Sequence, residues 1–365
     1  MSNRHTTNLK KKLINFFLLL RSEGIKHTFS RYLNYTIQLF WTYKVVWTPR
    51  RLYIPLHTIP IDRPIFVVGT QGAGLTLLTR MIRRHPHVVT IGGGASFWTG
   101  LDEMDKHPVG HYHFPDALTL RAPGYRNMTG REEEHSLFGL ERSWVYATDD
   151  LYPHYRKTAE DATSSVCDAL RTKIRQSIRA YAPDMSRARF LDKSQSYALK
   201  IPLIRACLPD ALFVVQTRDP YVMCWREAAA RPAIKYRLWK ERPSLEVGLR
   251  LAAQHWRNTY ETALEDLRDR PYGLFIRFED LLASPEQTLK HVLAFLDLEF
   301  FPDMLPQPHH RLPLGSQDPE KWYPLRADAN ERYLRQLPEV AIRIVYEELG
   351  EIAEMFGYFP PDGRK

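Results

Sequence analysis

The chain has 365 residues, 44% of them apolar and 25% charged. That composition suits one large core with an extension and excludes a disordered chain. The formal charge of +9 favours anionic partners (nucleotides, phosphorylated substrates, nucleic acid or an anionic leaflet) without choosing among them.

At the start of the chain, Lys10, Lys11 and Lys12 precede a short apolar run, Ile14 to Leu20. Arg21 ends the run and no small-residue cleavage site follows, so it does not read as a secretion signal. Leu33 to Trp47 is apolar and aromatic but carries Asn34, Thr36, Gln38, Thr42 and Lys44, which makes a poor spanning helix. Two readings stand for it. It is a helix packed on the main domain, or its Trp41, Tyr43 and Trp47 sit at a membrane surface beside the basic residues. Residues 1–59 are read as a basic, aromatic-rich helical extension in possible peripheral membrane contact. Pro55, Pro60 and Pro64 mark the break before a domain spanning 60–360.

Pro64 opens Ile65-Phe66-Val67-Val68, a short β-branched run that reads as a buried strand of a parallel sheet. Leu75, Leu77, Leu78, Met81 and Ile82 have helical spacing, and that helix ends near His85-Pro86. A second strand is expected over Val88–Ile91. Residues 92–158 are irregular and rich in Gly, His and aromatics, including Trp98, Tyr112, Phe114, Tyr125, Trp144, Tyr146, Tyr152 and Tyr155. They are read as an insertion forming the acceptor side, although a plain core uses aromatics too. A helix follows over Glu160–Tyr181 and a buried strand over Leu212–Thr217. Leu245 to Leu264 marks a long helix, Leu274–Phe278 a strand, and Ser284-Pro285-Glu286-Gln287 a capped helix start. Strands alternating with helices predict a three-layer α/β fold, a mainly parallel sheet flanked by helices. Cys167, Cys207 and Cys224 are scattered and odd in number. No disulfide framework is expected from them, and a reducing, cytoplasmic location fits best, with the inner membrane face as an option.

Gly69-Thr70-Gln71-Gly72-Ala73-Gly74-Leu75-Thr76 lies between the first strand and the first helix. It has P-loop spacing, G-x-x-x-x-G-x-[ST], in a P-loop-like setting of strand, loop and helix. Small residues let backbone N–H groups close round phosphate oxygens, the helix N-terminus favours an anion, and Thr76 can donate a hydroxyl hydrogen bond. Leu75 stands where kinases and ATPases place a lysine, which argues against a phosphotransferase. No nucleic-acid motif is present, and His111, His113, His309 and His310 are too sparse for a metal site.

The run Pro64 to Gly69, the loop, and then Met81, His85 and Pro86 resemble the PAPS-dependent sulfotransferase family. Three further blocks agree. Leu191-Asp192-Lys193-Ser194 is similar to an E-K-[TS]-P element. Leu208-Pro209-Asp210-Ala211-Leu212 through Arg218-Asp219-Pro220 is similar to F-P-D-A-x-F-I-x-x-x-R-D-P. Arg277-Phe278-Glu279-Asp280-Leu281 with Ser284-Pro285-Glu286 is similar to Y-E-D-L-x-x-x-P-E. The resemblance implies PAPS (3′-phosphoadenosine 5′-phosphosulfate) as cosubstrate and no metal. It implies that Gln71, Gly72, Ala73, Gly74, Leu75, Thr76 and Leu77 hold the 5′-phosphate and Arg218 the 3′-phosphate. Lys321, in Lys321-Trp322, belongs to a late donor-binding loop on the same grounds. The chain departs from the family at Gly72, usually Arg or Lys, and at Phe278, usually Tyr. Arg226 stands where a serine is usual, and can hold phosphate through charge. Gly92 to Gly94 occupy the region of a frequent carboxylate.

Sulfuryl transfer needs a cation near the bridging oxygen, a base for the acceptor hydroxyl and anchors for the nucleotide. By its place in the Asp-Lys-Ser element, Lys193 is the expected cation. Glu103 is the first candidate for the base, with Asp102 or a histidine (His85, His111, His113) as alternatives. The acceptor is a hydroxyl of a sugar, lipid or small molecule. The alternative function is a phosphotransferase or non-enzymatic relative with the same phosphate site.

Overall fold

The structure is a computed structural model that describes residues 43–91, 104, 114–119, 146–230, 244–307 and 325–361, and single positions at 21, 24, 25, 29, 33, 36 and 40. Five parallel strands form the sheet: β1 (Ile65–Val68), β2 (Val88–Thr90), β3 (Arg189–Asp192), β4 (Leu212–Thr217) and β5 (Gly273–Arg277). Their spatial order is β2-β3-β1-β4-β5. Helices cover both faces, the three-layer α/β arrangement that the alternating pattern predicts.

Alternation along each strand sorts the side chains between two cores. Ile65, Val67, Val214 and Ile276 face α1 (Leu75–Ile82) and, after β5, α7 (Pro285–Leu296). Phe66, Val68, Phe190, Phe213 and Val215 face α2 (Ser164–Tyr181), α3 (Ile201–Cys207), α5 (Leu245–Leu267) and α8 (Glu339–Leu349). The connection leaving β1 therefore runs on one face, while those leaving β3 and β4 run on the other. Chain leaving adjacent parallel strands toward opposite faces opens a crevice at their C-terminal ends. The loops after β1, β3 and β4 all lie there.

Local chemistry moves several expected boundaries. Thr158 and Asp161 form a capping box around a separate 3₁₀ turn, Ala159–Asp161, so α2 starts only at Ser164, with the Thr163 hydroxyl accepting from Val166 N–H. β5 ends at Arg277 because Phe278 opens α6 (Phe278–Ala283). Ahead of the sheet, residues 44–59 lie along α2. Val45 is buried, Lys44 Nζ stands 5.7 Å from the Tyr181 ring centroid, and Arg175 and Arg179 donate to the carbonyls of Ile59 and Ile54, each at 3.1 Å.

The cysteines overturn one expectation. Cys167, in α2, and Cys207, the last residue of α3, form a disulfide, with Cα atoms 4.8 Å apart. The parity argument failed because a pair plus one leftover is also odd. The two thiols lie 40 residues apart in sequence and meet only because α2 and α3 pack together. Disulfides persist in oxidising surroundings, so the cysteines do not support a reducing compartment. The leftover Cys224 is buried, and burial raises its thiol pKa, which keeps it protonated and inert.

Candidate functional site

The turn after β1 is shaped by glycine. Gly69, Gly72 and Gly74 have φ of +145°, +92° and +88°, a region that L side chains rarely enter. Space is as restrictive as conformation. A Cβ on Gly74 would fall 2.2 Å from the Phe278 ring, and one on Gly72 would fall 2.0 Å from Arg226 Nη2. Ala73 and Leu77 spend their N–H groups on Thr70 O and Gly74 O. Those of Gln71, Gly72, Gly74, Leu75 and Thr76 donate to no carbonyl of the described residues, as expected where a helix begins. Leu75 and Leu77 turn their side chains into the core beneath. The loop thus offers backbone donors, with no cation of its own.

Two residues that the sequence reading missed fix this loop. Tyr260, on α5, donates its hydroxyl to Gln216 O (2.8 Å) and accepts from Thr70 N–H (3.1 Å). Gln216, on β4, donates from Nε2 to Ala73 O at 2.6 Å. A glutamine in the otherwise apolar run before Thr217 was the available signal. Tyr260 gave none, being one more aromatic on an amphipathic helix.

At the end of β4, Arg218 is buried. Its Nε donates to Asn330 Oδ1 and its Nη1 to Gly72 O, both at 2.9 Å, and its guanidinium carbon lies 4.5 Å from the Phe278 ring centroid. Glu279 holds this arrangement. It accepts from Asn330 (2.6 Å), from the Asp219 N–H (3.0 Å) and from the Tyr358 hydroxyl (2.8 Å). Asp219 caps α4 (Pro220–Trp225) through the N–H groups of Tyr221 and Val222. Burial moves its carboxyl up to about 6. Arg226 follows α4, is buried as well, and reaches Gly72 O at 3.4 Å while pairing with Glu227 at 3.2 Å. Burial lowers its pKa. Burial and then the neighbouring Arg226 push Arg218 down to about 9. Two desolvated cations on one carbonyl form a place that an anion would stabilise.

The turn after β3 carries Lys193, which is wholly buried and no surface lysine. Asp192 shapes the turn, its carboxylate accepting from Ser194 N–H (2.7 Å) and Ser194 Oγ (3.0 Å). β3 pairs with β1 in register Asp192↔Phe66, which sets Lys193 and the phosphate loop at the same end of adjacent strands. Met104 N–H donates to Ser194 Oγ at 3.1 Å. Asp102 and Glu103 lie outside the described residues, as do Lys321, His111 and His113.

The structure removes His85 as a base. It sits beside Arg189, the first residue of β3, at the opposite end of that strand from Lys193. Burial, with His87 and two arginines nearby, lowers its pKa to about 4. Two of the expected acceptor-side aromatics are core. Tyr146 and Tyr155 are fully buried, with ring centroids 6.5 Å apart.

Several buried polar atoms around this crevice have no hydrogen-bond partner among the described residues: Gln71 Oε1, Gln195 Oε1, Gln216 Oε1 and Trp225 Nε1. Such atoms are costly when dry, and a polar ligand would satisfy them. Among the described residues no cluster of His, Cys, Asp or Glu could hold a metal ion.

The family model described as "Sulfotransferase family" matches residues 64–303. The chain belongs to the sulfotransferase family. Every element of the crevice described above, from β1 to Glu279, falls inside that match; Asn330 and Tyr358 lie beyond it. Solved structures of similar shape include the sulfotransferase domain from the curacin biosynthetic pathway, at 17% identity and TM-score 0.47, covering 82% of this sulfotransferase and 99% of that chain. The sulfotransferase domain of the Synechococcus PCC 7002 olefin synthase gives 17% identity and TM-score 0.46, with 83% and 97% covered. Sulfotransferase STF9 from Mycobacterium avium gives 13% identity and TM-score 0.49, with 85% and 80% covered. No curated protein matches the chain.

Proposed function

We propose that this sulfotransferase uses PAPS as its donor and a hydroxyl compound as its acceptor. The observation that carries the reading is the pair of buried guanidiniums, Arg218 and Arg226, held against Gly72 O beside loop N–H groups that donate to no carbonyl of the described residues. A donor with phosphate at both ends of its ribose suits such a place better than a neutral ligand does. Bound there, PAPS supplies the activated sulfur. The acceptor oxygen forms a bond to sulfur as the bond from sulfur to the bridging phosphate oxygen breaks. The acceptor's proton passes to a base, and 3′,5′-adenosine bisphosphate (PAP) leaves.

The protein's share is position and charge. The loop donors and the N-terminus of α1 hold the 5′-phosphate, and Arg218 the 3′-phosphate. Lys193 neutralises charge growing on the bridging oxygen. Arg226 supplies the cation that relatives carry in the loop: its Nη2 occupies the space that a side chain at Gly72 would enter. Glu103, next to Met104 in the chain, is the first candidate base, then Asp102. Lys321 is a further donor contact.

Labelled PAPS incubated with a pool of metabolite hydroxyls tests the reading. Wild-type protein should transfer label, and Lys193→Met should lose roughly 100-fold or more in rate, with PAP affinity within about threefold because the anchors remain. Binding of MgATP without binding of PAP would overturn the donor assignment. Equal transfer by both proteins would remove Lys193 from its role.

A further inference from the structure

Residues 1–61 contain ten Lys and Arg and a single acid, Glu23. That excess equals the formal charge of the whole chain, +9, so the remaining residues sum to neutral. The same stretch holds nine of the thirteen large apolar side chains exposed on the described surface. Ile25, Phe29, Leu33 and Phe40 are helical and exposed, the first two at 75% and 69%. Their spacing of three or four residues, counting Thr36, continues through Tyr43 to Trp47 and makes one stripe. Beyond the helix end at Thr48, Leu52 and Tyr53 are exposed too, Leu52 at 90%. The stripe does not hang loose from the domain. The Trp47 indole donates to Phe40 O at 3.2 Å with the two rings stacked at 4.7 Å, and Val45 and Arg50 anchor the next turn on α2.

We propose that this extension docks the protein on an anionic lipid surface, lying in the interface with its aromatic stripe in the headgroup layer. Charge decides the occupant. A basic amphipathic segment almost without acids complements phosphatidylserine-type headgroups, and Trp, Tyr and Phe suit the boundary between headgroup and chain. A second copy of the chain is a poor occupant, because two extensions of +9 would face each other. Among the described residues no helix is long and apolar enough to cross a membrane. The inference does not rest on the donor reading.

The test is co-sedimentation of the full chain with vesicles of phosphatidylcholine alone or with about 30% phosphatidylserine, at low and high salt. Docking predicts binding at least about tenfold stronger to the anionic vesicles, lost near 1 M salt. Phe29→Ser with Leu33→Ser should lower binding about tenfold or more, and Lys10, Lys11 and Lys12→Gln should remove much of its salt sensitivity. Both sets touch exposed or terminal positions, and PAP affinity measured in parallel should not change. Equal pelleting with neutral and anionic vesicles, or no effect of the stripe variant, would overturn the proposal. So would a dimer in light scattering that the stripe variant dissolves while vesicles stay unbound. PAP binding without vesicle binding defeats docking alone, and the reverse defeats the donor reading alone.

Discussion

On the β4 side of the crevice, the cations are held by groups gathered from distant parts of the chain. Arg218 leans on Asn330, Gly72 and the Phe278 ring, and Glu279 ties Asn330 to Tyr358. On the β3 side, Lys193 sits in a turn of three residues that its neighbour Asp192 closes through Ser194, with one distant support, the Met104 N–H on the Ser194 hydroxyl. The contrast fits two tasks. Anchoring a phosphate requires a rigid planar donor supported from several directions. Neutralising charge that appears only during transfer requires a compact point charge at one place. If that division holds, damage to the β4 side costs affinity, whereas damage to the β3 side costs rate.

Arg218→Ala is the harshest way to break the comparison on the binding side. It removes a desolvated cation and leaves Asn330 and Gly72 O short of a donor. PAP affinity should fall by about 100-fold, a loss near 3 kcal/mol, as measured by calorimetry. Turnover at saturating PAPS should drop far less than in Lys193→Met. A mutant that binds PAP normally but turns over slowly would erase the distinction between the two sides.

Arg226 sharpens the contrast because it pairs with an absence. Arg226→Ser removes the cation over Gly72. PAP affinity should fall about tenfold, roughly 1.4 kcal/mol. Gly72→Arg alone should weaken PAP binding as well, since its Cβ would fall 2.0 Å from Arg226 Nη2 and displace that guanidinium, and its φ is +92°. Combined with Arg226→Ser, the collision disappears and only the backbone strain remains, about 1 kcal/mol. The double variant should therefore bind PAP better than Gly72→Arg does. Equal affinity for the two would show that the guanidinium does not occupy the loop's missing position.

That pairing also marks the limit of what the sequence discloses. Four of the five strands were legible because short β-branched runs between glycines and prolines report burial locally, and the loop because its glycines keep fixed offsets from a strand and a helix; β3, Arg189-Phe190-Leu191-Asp192, was missed because it has charged ends and no β-branched residue. Gly72 and Arg226 each stood out as departures, yet 154 residues separate them and nothing local says that one fills the space left by the other. The Cys167–Cys207 bond was hidden for the same reason. His85 failed as a base because it precedes β2, which runs parallel to β3, and so lies at the opposite end of the strands from Lys193. Gln216 was visible as a polar residue in an apolar strand, though its target, Ala73 O, was not.

Tyr260→Phe makes the smallest change and asks whether the β4 side is rigid because of its supports. The substitution keeps the ring packed against Trp256, 4.5 Å between centroids, and removes only the hydroxyl. Gln216 O then loses a donor and Thr70 N–H an acceptor, in a place closed to solvent. Each unsatisfied group costs about 1 kcal/mol or more. Part of that cost falls on stability and part on the loop. PAP affinity should drop about threefold to fivefold and the melting temperature by a few degrees, with little change in turnover at saturating PAPS. The ratio of the two losses is the informative quantity. Lower stability with unchanged affinity would mean that the glycines and Gln216 hold the loop without Tyr260, and the rigid support of the β4 side would then begin at β4 itself.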